Sequence, residues 1–307
     1  MSEELERAYA HCDQIARSHY ENFLIGSRLL PKADRRHLAA LYAFARGADD
    51  IADEPDFAGD RRAALDAWER ELDEALLARP AGPVFRAVAH TVQERRLSAE
   101  PLRALLRAFR YDVDFQPFRD FDALRAYCRD SANPVGQLVL GLFGVCDARS
   151  VALSDDVCTG LQLANFWQDL SVDLAHGRSY LPIAEIEAFE GAGAALADRS
   201  TNHGFDGLLS LQLERARYFL SAGEELATRL PLRAAIEVQM FAGGGLRIVD
   251  RIEELRGRIL TERPKLRRAD FARIFTGSVV RSVFPGTKAL DPRTSARSRR
   301  ARPKGVV

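Results

Sequence analysis

Along most of the chain, apolar residues recur at intervals of three and four, the spacing of one face of an α-helix. Between 33 and 53, Leu38, Leu41, Tyr42 and Ala45 form one such stripe, which Pro55 closes. Leu65, Trp68, Leu72 and Leu76 repeat the pattern over 61–77, ahead of Pro80. The same period predicts helices over 84–95, 101–115, 121–146 and 155–175, and, after a break at Pro182, over 204–229 and 232–260. Alternating, β-branched runs that would mark strands are scarce. The pattern predicts an all-α fold, a single helical domain over residues 1–284 with no internal repeat and no long linker.

Composition narrows the function classes. At 307 residues with 47% hydrophobic side chains the chain can bury a large core and is not disordered. Its 44 basic and 44 acidic residues cancel, so no overall field steers it toward nucleic acid, and none is expected as a partner. Cys12, Cys128, Cys146 and Cys158 lie far apart, which argues against a disulfide framework or a zinc site and for a reducing cytoplasm. The charged N-terminal segment lacks the apolar core of a secretory signal. The longest strongly apolar stretch, 138–146, is about half of a membrane-spanning helix. From Pro285 the periodicity fades, and Arg293, Arg297, Arg299, Arg300, Arg302 and Lys304 follow with no acid among them. Residues 285–307 read as a solvated basic tail, with a weak contact to anionic headgroups at a membrane surface as the second reading.

The most informative positions are acidic. In Tyr42-Ala-Phe-Ala-Arg46-Gly-Ala-Asp49-Asp50-Ile-Ala-Asp53-Glu54, Asp49 and Asp53 are four apart and share a helix face with Tyr42 and Arg46. In Asn165-Phe-Trp-Gln168-Asp169-Leu-Ser-Val-Asp173, the residues Asn165, Asp169 and Asp173 are successively four apart. Two carboxylates about 6 Å apart repel by roughly 3 kcal/mol at an effective dielectric of 20. Water removes that cost on an open face, and a bound cation removes it on a closed one. One such pair is ordinarily a solvated face. Two of them, each in an apolar helix, favour the cation, and oxygen-only donors suit Mg2+ shared with a diphosphate.

Five ordered segments then resemble the squalene and phytoene synthases, the head-to-head trans-isoprenyl diphosphate synthases. They are Ser18-His-Tyr20-Glu-Asn-Phe23, the two acidic segments, Tyr127-Cys-Arg-Asp-Ser-Ala-Asn133-Pro-Val-Gly136, and Gly177-Arg178-Ser-Tyr180-Leu-Pro182. The resemblance covers 18–284 and implies an isoprenoid-synthase-type helical bundle around a central apolar cavity. Asn133-Pro-Val-Gly136 and Phe166-Trp-Gln168-Asp169 are most similar to the hopanoid-pathway branch that converts presqualene diphosphate to hydroxysqualene. Gln168 stands where the family usually has Arg, which removes a fixed charge beside a diphosphate.

The resemblance implies Asp49, Asp53, Asp169 and Asp173 as Mg2+ ligands, with Asp50 and Glu54 behind them. Asn165 would assist the metal cluster, and Arg46 and Arg178 would contact phosphate oxygens. Tyr42, Tyr127 and Tyr180 would line the reacting end of the cavity. Asn133, Tyr127 or Gln168 would hold the attacking water, and Tyr20, Phe23 and Gly136 would line the substrate. Gly136, Gly141 and Gly144, placed on the 121–146 helix, leave room either for isoprenoid chains or for a close helix neighbour. No strand–G-x-G-x-x-G–helix unit is present, and NADPH is not expected. The competing outcomes are condensation of two allylic diphosphates to presqualene diphosphate, squalene or phytoene, and a helical lipid-binding scaffold without catalysis. A di-metal carboxylate oxidase would need Glu-x-x-His motifs, which none of the six histidines supplies. Handover from a presqualene diphosphate synthase, at the inner membrane surface or in the cytoplasm, completes the expectation.

Overall fold

A computed structural model of the chain describes residues 2–18, 32–54, 56–80 and 82–283. Every regular element among them is helical, as the periodicity predicts. By internal contacts the chain divides into two compact units, 1–115 with 129–151, and 116–128 with 152–307.

The first unit contains α1 (Glu3–Ser18), α2 (Lys32–Asp53), α3 (Arg61–Leu76), α4 (Pro83–Arg95) and α5 (Glu100–Val113). α6 (Phe121–Ser131) ends in it, and α7 (Asn133–Leu142) lies within it. α2 is its axis, packed against α1, α3, α4, α5 and α7. Phe44, Leu65, Leu72, Leu102 and Leu106 are fully buried in its core. Trp68 stacks edge-on against Phe85 at 4.7 Å between ring centroids. Asp60 caps α3 by accepting from the backbone N–H groups of Arg62 and Ala63.

The second unit takes up α8 (Ala148–Gln168) from residue 152, then α9 (Leu170–Ala175), α10 (Ile183–Ala188), α11 (Ala192–Asp198) and α12 (His203–Leu220). α13 (Ala222–Thr228), α14 (Leu232–Leu255), a 3-10 turn (Arg256–Leu260) and α15 (Arg268–Val283) complete it. α14 is the hub, touching α12, α13, α15 and the 3-10 turn, and that turn also meets α9. Trp167, Phe205, Leu124, Leu163, Leu170 and Leu181 are its largest fully buried side chains.

The structure corrects four of the helix spans read from the sequence. The 121–146 helix is two: it breaks at Ala132, and Pro134, which has no N–H to donate, falls in the first turn of α7 where none is needed. Gly144 therefore lies outside any helix, in a turn at φ +72°. Gly141 stays helical and serves close packing, because a Cβ there would come within 2.5 Å of Leu97 Cδ2. The 155–175 helix starts earlier, at Ala148, and breaks at Asp169; 204–229 breaks at Ser221. The 232–260 helix tightens into the 3-10 turn after Leu255. Helices α1, α10, α11 and α15 lie outside the spans that the periodicity marks.

Candidate active site

The first acidic group is placed by how α2 buries its other side. Ala43, Phe44, Ala48 and Ala52 face the core, and Gly47 lets the Trp68 indole approach so closely that a Cβ there would sit 2.6 Å from the ring. That packing leaves Arg46, Asp49, Asp50 and Asp53 on the more open side. Arg46 donates through Nη1 to Asp49 Oδ2 at 2.9 Å and through Nη2 to Glu54 Oε1 at 3.0 Å, and it also pairs with Asp50. One guanidinium thus faces several carboxylates, and the group keeps a surplus of negative charge. Burial pushes the Asp49 carboxyl above its usual range, with Arg46 opposing and Asp53, Asp50 and Glu54 reinforcing. Tyr42, one turn before Arg46, is half-buried, and its hydroxyl is likewise pushed up by burial.

The second group spans the break between α8 and α9. The i to i+4 backbone bonds continue through it: Asp169 N–H donates to the Asn165 carbonyl and Asp173 N–H to the Asp169 carbonyl, each at 2.9 Å. The four-residue spacing therefore keeps the three residues aligned even though Asp169 itself is not helical. Phe166, Trp167 and Leu170 turn into the core, while Asn165 is exposed and Asp169 and Asp173 are half-buried. Burial first, and the Asp169 charge second, push the Asp173 carboxyl up to about 6, against the pull of Arg178, His176 and Arg263. Arg178 reaches this place because its N–H donates to the Asp173 carbonyl at 2.9 Å.

Sequence spacing gave no sign of Arg263, which arrives from 94 positions away. Its Nε and Nη2 both donate to the Asp169 carboxylate, the latter at 3.3 Å. The neighbouring Gln168 holds the same segment, donating from Nε2 to the Pro264 carbonyl at 2.8 Å. The amide expected to hold a water is thus engaged, through its N–H, with the backbone.

Tyr127 and Tyr180, both expected at the reacting end, come together in the second unit. Phe166 stacks on Tyr180 with centroids 3.9 Å apart, Tyr127 lies 6.2 Å from each, and Phe118 closes the group at 5.4 Å from Tyr127. Phe118 precedes α6 and is held there by its carbonyl, which accepts from the Ile183 N–H at 2.9 Å. Aromatic faces of this kind attract cations by their quadrupoles. In the first unit, Asn133 is buried at the start of α7 and Gly136 is half-buried within it. Tyr20 and Phe23 lie outside the described residues, as does the 285–307 tail.

A third polar cluster has a different character. Tyr9 Oη bonds His90 Nδ1 at 2.8 Å, Thr91 Oγ1 at 3.0 Å and His37 Nδ1 at 3.1 Å, joining α1, α2 and α4. His37, His90 and Glu94 are close enough to share a metal ion, but the Arg36 guanidinium already donates to Glu94 at 3.2 and 3.3 Å. Burial pushes His37 down to about 4, so it is neutral, and the cluster acts as a satisfied core network.

Comparison with known proteins places the chain in a family. The sequence profile described as squalene/phytoene synthase matches residues 16–270. The chain belongs to the squalene/phytoene synthase family. Among solved structures it is similar to squalene synthase HpnC from Alicyclobacillus acidocaldarius, with 40% identity, a TM-score of 0.79, and 83% of this chain and 96% of that one covered. A phytoene synthase of Mycobacterium tuberculosis is 32% identical over 236 residues, which span 76% of this chain and 77% of that protein. The chain spans only 54% of the length of the chloroplastic phytoene synthase 3 of Zea mays, to which it is 29% identical. A dehydrosqualene synthase at 22% identity and a TM-score of 0.80 supports the fold alone. Squalene/phytoene synthases act on isoprenyl diphosphates and typically depend on divalent metal. Within each unit by itself, the oxygen-only donors of Asp49 and Asp53, and of Asp169 and Asp173 with the crowding of Asp173 by a second acid, are of the chemical kind that such an ion takes.

One prediction belongs to this synthase's second acidic group. Arg263→Ala frees Asp169 from a partly exposed ion pair that competes with a cation, so Mg2+ alone is expected to bind up to about fivefold more tightly. Isothermal titration of Mg2+ into wild type and variant checks this; equal affinities would show that the guanidinium does not contend for Asp169.

Proposed function

We propose that the protein converts presqualene diphosphate to hydroxysqualene in isoprenoid biosynthesis, with Mg2+ as cofactor and without NADPH. The 40% identity to squalene synthase HpnC, extending over 96% of that chain, supports the squalene side of the family, and the water-capture outcome rests on the resemblance of Asn133-Pro-Val-Gly136 and Phe166-Trp-Gln168-Asp169 to the hydroxysqualene branch. Gln168, turned to the Pro264 carbonyl in place of a fixed charge, agrees with a site that takes one diphosphate.

Asp49 and Asp53 in one acidic group, and Asp169 and Asp173 with Asn165 assisting in the other, would each hold metal. Bound Mg2+ supplies Lewis-acid charge that stabilises the leaving diphosphate as the C–O bond breaks. Arg46 and Arg178 bind phosphate oxygens and hold the leaving group in one orientation. The bonding pair departs with the diphosphate, leaving a cyclopropylcarbinyl cation that rearranges. Tyr127, Tyr180, Phe118 and Phe166 shelter that cation with their ring faces and exclude stray water. One water then adds its oxygen to the rearranged cation and gives up a proton, which yields the alcohol. Asn133 and the Tyr127 hydroxyl are the groups proposed to orient that water. Tyr42, Gly136, Tyr20 and Phe23 are proposed to shape the walls around the isoprenoid chains.

The phytoene synthase relatives favour a second reading, in which two allylic diphosphates are condensed. Purified protein given presqualene diphosphate and Mg2+, without nicotinamide, is expected to release diphosphate and form hydroxysqualene, identified by mass spectrometry. Squalene formed only when NADPH is added would replace the water step by hydride capture. Consumption of farnesyl diphosphate or a longer allylic diphosphate, with presqualene diphosphate untouched, would move the protein to the condensing branch.

A further inference from the structure

In the second unit a buried charge touches both of the segments that lead to the aromatic group. Arg215, on α12, is only 5% exposed. Its Nη1 stands 2.6 Å from Glu185 Oε1, and its guanidinium lies over the Phe121 ring with Cζ 4.1 Å from the centroid. Gln212, fully buried one turn earlier on the same face of α12, donates from Nε2 to the other Glu185 oxygen.

The two contacts lead to different sides of the rings. Glu185 lies in the first turn of α10, where its N–H donates to the Pro182 carbonyl at 3.1 Å, and Tyr180 stands just ahead of that proline. Phe121 follows Phe118 and opens α6, the helix that carries Tyr127. The segments are laced together by two adjacent backbone bonds, from Ile183 N–H to the Phe118 carbonyl at 2.9 Å and from Ala184 N–H to the Arg119 carbonyl at 3.0 Å. Two adjacent bonds fix a line and leave rotation about it; a grip on both segments away from that line removes the rotation. Stability does not account for the choice of charge. Arg215 Nε and Nη1, and Gln212 Oε1, have no hydrogen-bond partner among the described residues. A buried ion pair with donors left unused holds a fold no better than apolar side chains of the same size.

We propose that Arg215 is a positioning residue for the reaction: gripping Glu185 on one side and Phe121 on the other, it sets the angle at which Tyr180 meets Phe118 and Tyr127. The rings it governs are close enough for that angle to matter, with Phe118 and Tyr180 6.0 Å apart and inclined by 25°. A guanidinium suits the task because one rigid plane offers donors to a carboxylate along its edge and stacks on a ring with its face, which a lysine ammonium cannot do. The proposal rests on the reading of these rings as the shelter of the cation, and it is indifferent to which product forms.

The test is a mutant cycle with Tyr180→Leu. Arg215→Met combined with Glu185→Gln removes both charges, keeps the volume and leaves Gln212 an acceptor, so it should melt within about 4 °C of wild type. Arg215→Lys leaves Glu185 a cation and is the gentler variant, which decides alone if the first does not fold. Each is expected to lower kcat for diphosphate release about tenfold, with binding of inorganic diphosphate and Mg2+ within about twofold of wild type. The substrate is presqualene diphosphate, or farnesyl diphosphate if the protein condenses. In a Tyr180→Leu background neither change should cost more than about twofold further, because the ring that Arg215 orients is already gone. The near-UV circular dichroism of the rings should weaken in both variants while the far-UV signal holds. Losses that multiply with that of Tyr180→Leu, or wild-type turnover in a folded variant, overturn the proposal. If neither diphosphate is turned over, the functional reading falls and the near-UV band decides: a weakened band upholds the positioning role, and an unchanged one overturns it.

Discussion

Asp49→Asn or Asp173→Asn is expected to lower kcat by about 10²- to 10³-fold or more, the scale of losing a main electrostatic contact to a leaving group. The folded state should hardly notice. Asn keeps the size of Asp and removes a charge that each site holds at a cost. Asp49 is pushed toward its neutral form by burial, and Arg46 keeps Asp50 and Glu54 as partners when Asp49 is neutral. Asp173 is held up to about 6 by burial and by Asp169, so neutralising it relieves that repulsion. Thermal melting of the apo variants should match or exceed wild type, while inorganic diphosphate with Mg2+ should no longer stabilise them. A proton signature accompanies this: below about pH 6 the metal-free Asp173 is protonated, so Mg2+ binding must release a proton. Calorimetry in two buffers of different ionisation enthalpy measures that release, which Asp173→Asn should abolish. Normal turnover in either variant would remove that aspartate from the metal site.

The second large effect concerns stability. Glu237 lies on α14, only 5% exposed, and its Oε2 has no hydrogen-bond partner among the described residues. Burial pushes its carboxyl up to about 7 from an ordinary 4.5. Because the folded pKa is the higher one, the folded state binds the proton more tightly. Stability is therefore full below about 4.5 and declines as pH rises toward about 7, by an amount on the order of 3 kcal/mol. Glu237→Gln carries no charge at any pH and escapes that decline. In urea unfolding the variant should match wild type near pH 4 and exceed it by about 2–3 kcal/mol near pH 8. A difference that does not change with pH would mean that the carboxylate reaches water.

Much of this was legible in the sequence because helices write themselves locally. The stripe Leu38, Leu41, Tyr42 and Ala45 marked α2 to within a residue, and the i, i+4 acids marked its open face without any tertiary information. The break at Asp169 was not legible, since the apolar spacing runs on through it; yet the backbone bonds from Asn165 to Asp169 to Asp173 preserve the alignment that the spacing implied. The break at Ala132 had a visible cause in Pro134, whose effect on the 121–146 helix the apolar period masked. Arg263 and Phe118 could not be read at all. Their roles come from the fold bringing the Pro264 segment to Gln168 and pairing the Phe118 carbonyl with Ile183, and neither event leaves a periodic trace.

The hydrogen bond from Gln168 to Pro264 has a mechanical corollary. Only residues 265–267 separate that anchored carbonyl from the first turn of α15, and three residues of extended chain reach about 10 Å. The terminal helix is thus on a short leash. Any large excursion of α15 must either strip Arg263 from Asp169 or pull Gln168 out of place, so the posture of that helix and the charge balance beside Asp169 form a single degree of freedom.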